Sequence, residues 1–237
     1  MRRLYFTLYW FLAVCSTASA EVEPLLVYTE SSPPYHYLNE NSEVSGSSTQ
    51  KVKAILERAG ATAEFKLVPW ARAYRSVERQ PQSLIYSLAK TPQREALFHW
   101  IAPVSEFKLA FVSLAHRTDI DVPDWSYLTQ YSVAVQRDDI AYDWLISIGL
   151  KEGVHFIACA DIRCSWERLQ RENVDLIIED PALVPMTRKQ VGMPDVKLRN
   201  VAYIPELEVI GYLAANKNMD EKMVTRLKRA AIEYRQN

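Results

Sequence analysis

Two kinds of hydrophobic pattern alternate along the chain. Short apolar runs of strand length are separated by stretches in which apolar residues recur every three or four positions. Leu25 to Thr29 (LLVYT) is the first run, fit for a buried strand. The stretch from Ser31 to Ser48, rich in Ser, Pro, Asn and Glu, predicts a loop. Val52, Ile55, Leu56 and Ala59 then mark one face of a helix over Thr49 to Ala59, which Gly60 ends. Ala63 to Val68 alternates as a strand, Trp70 to Glu78 predicts a second helix, and Ser83 to Leu88 a third strand. This β-α-β-α-β order predicts an α/β layered unit around a mainly parallel sheet.

Thr91-Pro92 opens a short helical turn, with Thr91 as N-cap and proline at the first helical position. A long strand pattern follows at Phe107 to Ala115. A second set then repeats the alternation: strands at Tyr131 to Val135, Phe156 to Cys159 and Val174 to Ile178, and helices at Ala141 to Ile148, Ser165 to Glu172 and Ala182 to Gln190. Another long strand, Leu207 to Ala215, precedes an amphipathic helix over Met219 to Tyr234, with Met223, Leu227, Ala230, Ala231 and Tyr234 along one stripe. The two long strands bracket the second set, which predicts two Rossmann-like lobes joined by two hinge crossings. Lobe 1 takes residues 21–112 and 206–237, and lobe 2 takes 113–205. A cleft between such lobes is a favoured place for a small ligand.

The first 20 residues change the picture of where this fold works. Arg2 and Arg3, the apolar run from Leu4 to Cys15 and the small-residue end Ala18-Ser19-Ala20 have the three parts of a secretory signal peptide, with cleavage after Ala20. The run is too short to span a bilayer, which needs about 20 apolar residues. Cys15 raises a lipoprotein alternative, which Val14 disfavours because a small residue is expected there. The net charge of −1 at pH 7 gives no sign of nucleic-acid binding, and 49% apolar content describes a folded chain. Beyond Cys15 only Cys159 and Cys164 remain. In an oxidising compartment a disulfide closing this short loop is favoured over two buried thiols. A metal site is not expected, since two cysteines are too few ligands and His155 has no partner pattern.

Several segments, in this order, resemble the type II periplasmic solute-binding family, in the family 3 branch of polar amino acid receptors. LLVYTESSPPYHYL resembles its first ligand loop, and LVPWARAYRSV the helix start that brings an aromatic or basic group to the cleft. YSLAKTPQREALFHWIAPV resembles its strand, T-P-x-R turn and aromatic exit, and VDLIIEDPALV the lobe 2 strand that ends in an acid. The resemblance covers essentially all of 21–237. It implies the two-lobed α/β fold and no enzymatic activity or cofactor. It also implies a monomer in the periplasm that hands an amino acid or related polar solute to an ABC-type transporter's membrane permease.

Carried over to this chain, the resemblance implies that Arg94 takes a ligand carboxylate and Asp180 an ammonium. A guanidinium fork suits a carboxylate. Asp180 precedes Pro181 and is alternatively an N-cap, with Glu179 able to exchange roles with it. Trp70 would stack on the ligand or cover a cation. Tyr28, Glu30 and Tyr35 at the first loop, Thr91 at the turn, and Arg72 and Arg137 beside the expected cleft complete the ligand-binding candidates. The Gln136 to Asp139 loop departs from the glycine-and-serine loop of amino acid receptors, and its backbone N–H groups would hold an anion. Ala89 stands where a hydroxyl residue often contacts the ligand. Two other functions stay open. One is a periplasmic enzyme of the same fold, resembling the cyclohexadienyl dehydratases, with Glu30 and Glu179 as acids but without a recognisable nucleophile–base pair. The other is a ligand-sensing receptor acting through a separate membrane partner.

Overall fold

A computed structural model describes residues 23–236. The expected signal peptide, with Cys15, lies outside the described residues. Strand β1 (Leu25–Thr29) is followed by a small hairpin, β2 (Tyr37–Leu38) and β3 (Val44–Ser45), inside the stretch predicted as loop. Helix α1 (Ser47–Arg58) leads to β4 (Ala63–Leu67), and α2 (Trp70–Arg79) to β5 (Ser83–Ala89). Strand β1 lies between two parallel neighbours, with Val27 opposite both Phe65 and Leu84. Its apolar run is the consequence of burial on both faces. Helix α1 stops at Gly60, whose φ of 60° suits glycine. There the Ala61 N–H reaches the Leu56 carbonyl and the Gly60 N–H that of Glu57, a Schellman turn.

After a 3₁₀ turn at Glu95–Leu97 comes β6 (Phe98–Leu114), then a second 3₁₀ turn at Trp125–Gln130. The second set comprises β7 (Val133–Gln136), α3 (Ile140–Ser147), β8 (Phe156–Cys159), α4 (Ile162–Gln170), β9 (Leu176–Glu179) and α5 (Val184–Gln190). Strand β7 pairs parallel with β8 and β9. Strand β10 (Leu198–Asn216) and α6 (Glu221–Arg235) close the chain. The strand order is β4-β1-β5-β10-β6-β9-β7-β8. Two parallel three-stranded sets thus flank an antiparallel pair, β10 and β6, that runs from Asn216 opposite Phe98 to Leu198 opposite Leu114. This is the predicted two-lobed α/β fold.

Each lobe has helices on both faces of its strands. In the first, α1 and α6 cover Val27, Leu84 and Leu213, while α2 covers Ile85, Leu88 and Ala214. In the second, Trp144 and Leu145 of α3 pack on Phe111 and Val133, and Trp166 and Leu169 of α4 on Val112 and Ile177. Helix α6 buries Val224 with Leu227, Ala230 and Ala231, whereas Met223 of the expected stripe is only partly buried.

The two joining strands begin about nine residues earlier than the sequence pattern suggested. Pro103 and Pro205 read as strand breakers, yet each sits at a shift in the β6–β10 register, where the missing N–H interrupts no ladder bond. The largest shift lies between Tyr203 opposite Ala110 and Glu208 opposite Lys108, at the passage from one lobe to the other. Cys159, at the end of β8, and Cys164, in the first turn of α4, are joined in a disulfide. Asp161 caps that helix, accepting from the Cys164 N–H at 2.9 Å, which moves its start ahead of the predicted Ser165.

Candidate ligand-binding cavity

A cavity of about 90 Å³ lies between the lobes. The first lobe contributes Glu30 from the end of β1, Trp70 from the first turn of α2, Ser87 and Ala89 from β5, and Arg94 from the turn after it. The second contributes Asp139 and Ile140 at the start of α3, and Ile178, Glu179 and Asp180 at the end of β9. Half of the remaining lining residues are apolar, including Phe107, Leu109 and Val209 where the lobes join.

One wall is a clasp between the lobes. Asp138, at φ 59°, presents its carbonyl to Trp70 Nε1–H at 2.8 Å and to Arg94 Nη2–H at 3.0 Å. Its carboxylate pairs with Arg75 at 3.1 Å. Arg94 Nη2 also donates to Asp143 Oδ2 on α3 at 2.8 Å. Arg94 is 3% exposed, its guanidinium lies 5.2 Å from the Tyr74 ring centroid, and its Nη1 is buried without a hydrogen-bond partner among the described residues. Arg94 is therefore not a solvated surface residue. Partial burial raises the Asp143 carboxyl, a tendency that Arg94 opposes.

The cavity is acidic. Burial raises Glu30 well above the ordinary carboxyl range, and repulsion from Asp139, Glu179 and Asp161 adds to it. Burial pushes Glu179 up to about 7, against the hydrogen bonds it accepts from Trp166 Nε1–H and the Asp180 N–H, each 3.1 Å long. Burial also raises Asp139, opposed by Arg94 and by the Ile140 N–H that it caps at 2.7 Å. Among the described residues lining the cavity, Arg94 is the one permanent cation.

A polar chain fixes the position of Glu30. His36 Nδ1 lies 2.7 Å from the Glu30 carbonyl and Nε2 2.9 Å from Ser87 Oγ, which also accepts from Ser105 Oγ–H at 3.0 Å. The carbonyl can only accept, so Nδ1 carries the proton and Nε2 accepts from Ser87. Burial lowers His36 to about 4 and keeps it neutral. Ser87 has φ 62°, in the left-handed region a non-glycine residue rarely visits. Gly211 permits this bulge, because a Cβ there would come within 2.9 Å of Ser87 Cα. The sequence reading found no nucleophile–base pair. The fold makes a serine–histidine contact from residues 51 positions apart.

Of the nine ligand-binding candidates, the fold brings Arg94, Asp180, Trp70 and Glu30 to the cavity. Asp180 lines it with both oxygens already engaged, accepting from the Lys108 N–H at 3.0 Å and the Ala182 N–H at 2.9 Å. The other five lie outside the lining. Tyr28 is buried in the α2-side core, its hydroxyl donating to Gln80 at 2.7 Å. Tyr35 donates to the Glu106 carbonyl at 2.8 Å and braces Phe107 edge-on. Thr91 Oγ1 accepts from the Arg94 N–H at 3.3 Å and so shapes the turn. Arg72 is exposed on an outer groove, and Arg137 turns away to pair with Glu152 at 2.8 Å. The α3 start expected to hold an anion is instead capped by Asp139. No group of residues suited to a metal ion occurs among the described residues.

The family profile of the bacterial extracellular solute-binding proteins, family 3, matches residues 25–233. No curated protein matches the chain. Among solved structures, an ancestral arginine-binding protein bound to arginine is similar at TM-score 0.76 and 19% identity, over 90% of this chain and 93% of that one. The arginine-, lysine-, histidine-binding protein ArtJ from the thermophilic bacterium Geobacillus stearothermophilus is similar at 0.72 and 16%, over 90% of each chain. A histidine kinase sensor domain with similarity to periplasmic binding proteins matches at 0.72 and 17%, again over 90% of each.

Proposed function

We propose that this chain, which belongs to the bacterial extracellular solute-binding proteins of family 3, captures a small polar solute, an amino acid or a related compound, in the cavity between its lobes. The observation that carries this reading is the site between the lobes itself. Glu30, Trp70 and Arg94 of one lobe face Asp139, Glu179 and Asp180 of the other across a space of about 90 Å³. Charged groups held in a water-poor cleft interact far more strongly with a solute than they would at a surface. In this reading lobe 1 comprises 21–112 with 206–237 and lobe 2 comprises 113–205, and the crossings bend at the β6–β10 register shift. The protein works as a periplasmic monomer, freed by cleavage after Ala20, and delivers its solute to the permease of an ABC-type transporter. Similarity to arginine-binding structures supports an amino-acid-like solute.

The Ser87–His36 contact is the observation that favours an enzyme. A histidine held near 4 is a weak base at neutral pH, and its Nδ1 is turned to a backbone carbonyl rather than a carboxylate. Binding is therefore the better reading. The test is a thermal-shift screen of amino acids and related amines on protein unfolded and refolded free of solute. A solute at 100 times its Kd stabilises by about 2.7 kcal/mol, or roughly 5–11 °C for a chain of this size. Glu30→Gln is expected to retain the fold and lose most of that shift. A screen in which nothing raises the melting temperature contradicts the reading.

A further inference from the structure

We propose that the solute is an organic amine or guanidinium cation that lacks an α-carboxylate, because Asp143 of the chain already holds Arg94 and the rest of the cavity is lined with acids. The inference rests on the solute-binding reading above and narrows it to a class.

An α-amino acid presents one carboxylate and at least one ammonium. Here the cation that would meet the carboxylate is committed within the protein. Arg94 Nη2 gives its two hydrogens to Asp143 Oδ2 at 2.8 Å and to the Asp138 carbonyl at 3.0 Å. The Asp143 side chain is 42% exposed, comes from the opposite lobe and occupies the guanidinium edge, where Arg94 opposes the effect of its burial. What remains of Arg94 is the buried, unpartnered Nη1, on a guanidinium whose charge Asp143 already offsets.

The anionic side of the cavity is in surplus. Asp139 and Glu179 line the cavity beside Glu30 and both raise it, and Asp139 raises Glu179 as well. Among the described residues nothing donates to the Glu30 carboxylate; only its backbone carbonyl is engaged, by His36. A solute carboxylate would enter beside three carboxyl groups, of which Glu30 has no donor among the described residues. A protonated amine or a guanidinium would instead supply the donors that Glu30 lacks and neutralise the group, a strong charge-assisted contact where water is excluded. The Trp70 ring in the same wall suits a cation as well.

The experiment is calorimetric titration of the refolded protein with two matched pairs: agmatine against arginine, and cadaverine against lysine. Each pair differs by one carboxylate. The expected result is that in at least one pair the amine binds at least tenfold more tightly than its parent amino acid, with Glu30→Gln weakening the amine at least tenfold. Asp143→Ala frees Arg94 and is expected to narrow the preference at least tenfold. It also leaves the buried Arg94 without its carboxylate partner, so circular dichroism and denaturant unfolding check its fold. If each amino acid that binds does so as tightly as its amine or more tightly, the class is wrong while solute binding stands. If neither pair binds and only neutral or acidic amino acids do, the class is again overturned. If no amine or amino acid binds at all, the solute-binding reading falls with it.

Discussion

Glu179→Gln tests whether the cavity wall carries the buried acid described above. Glu179 is 8% exposed, and burial moves its carboxyl from an ordinary 4.5 to about 7. A carboxyl so displaced binds its proton more tightly in the folded chain by about 3 kcal/mol. The folded value lies above the unfolded one. The stabilisation from that proton is therefore complete below pH 4.5 and lost as pH rises through about 7. Glutamine is neutral at every pH. It also has one oxygen where glutamate offers two, so either Trp166 Nε1–H or the Asp180 N–H loses its acceptor. That loss destabilises by about 1–3 kcal/mol without regard to pH. Titrations shared by both proteins, such as His36, cancel in the difference. Glu30, which Glu179 repels, becomes easier to ionise in the variant and moves the difference in the same direction. Urea unfolding of solute-free protein from pH 4 to 8.5 gives the two stabilities. The advantage of the unmodified chain is expected to fall by about 3 kcal/mol across that range. Parallel stability curves would refute the reasoning.

Gly211→Ala drives a Cβ to within 2.9 Å of Ser87 Cα, so it is expected to destabilise by roughly 1–3 kcal/mol and to weaken binding by disturbing Ser87, both read by denaturant unfolding and calorimetry. Replacing Cys159 and Cys164 together by serine opens a loop spanning a separation of 5 residues. Chain entropy predicts a loss of about 2 kcal/mol, or roughly 4–8 °C in melting temperature, and unreduced protein from the periplasm should give no free thiol. His36→Ala removes the group whose burial lowers it to about 4. Its folded value lies below the unfolded 6.5, so that contribution to stability is present above pH 6.5 and lost as pH falls through 4, a dependence the variant should lack in acid unfolding.

The parts of the fold legible in the sequence are those decided locally. Strands β1 and β8 match their apolar runs residue for residue, and Gly60 marks the end of α1 to within a residue. The joining strands extend beyond their apolar patterns, through Pro103 and Pro205, and only the partner strand shows that each proline falls at a register shift. The cavity divides the same way. Arg94, Trp70, Glu30 and Asp180 stand at turns and strand ends, where chain order alone places side chains near a cleft. His36 and Ser87 meet across a long separation and through a left-handed serine that no local pattern predicts. Asp143 was invisible for a different reason. On the sequence it is one more polar position in a helix, and its role arises only when α3 of one lobe meets the turn after β5 of the other.

The most direct test of the central claim is a crystal structure of the complex with whichever solute gives the largest thermal shift. The account predicts one solute molecule between the lobes, bounded by Glu30, Trp70, Arg94 and Glu179, with donors on the Glu30 carboxylate. A solute seated outside that cavity, or one that leaves Glu30 untouched, would contradict it.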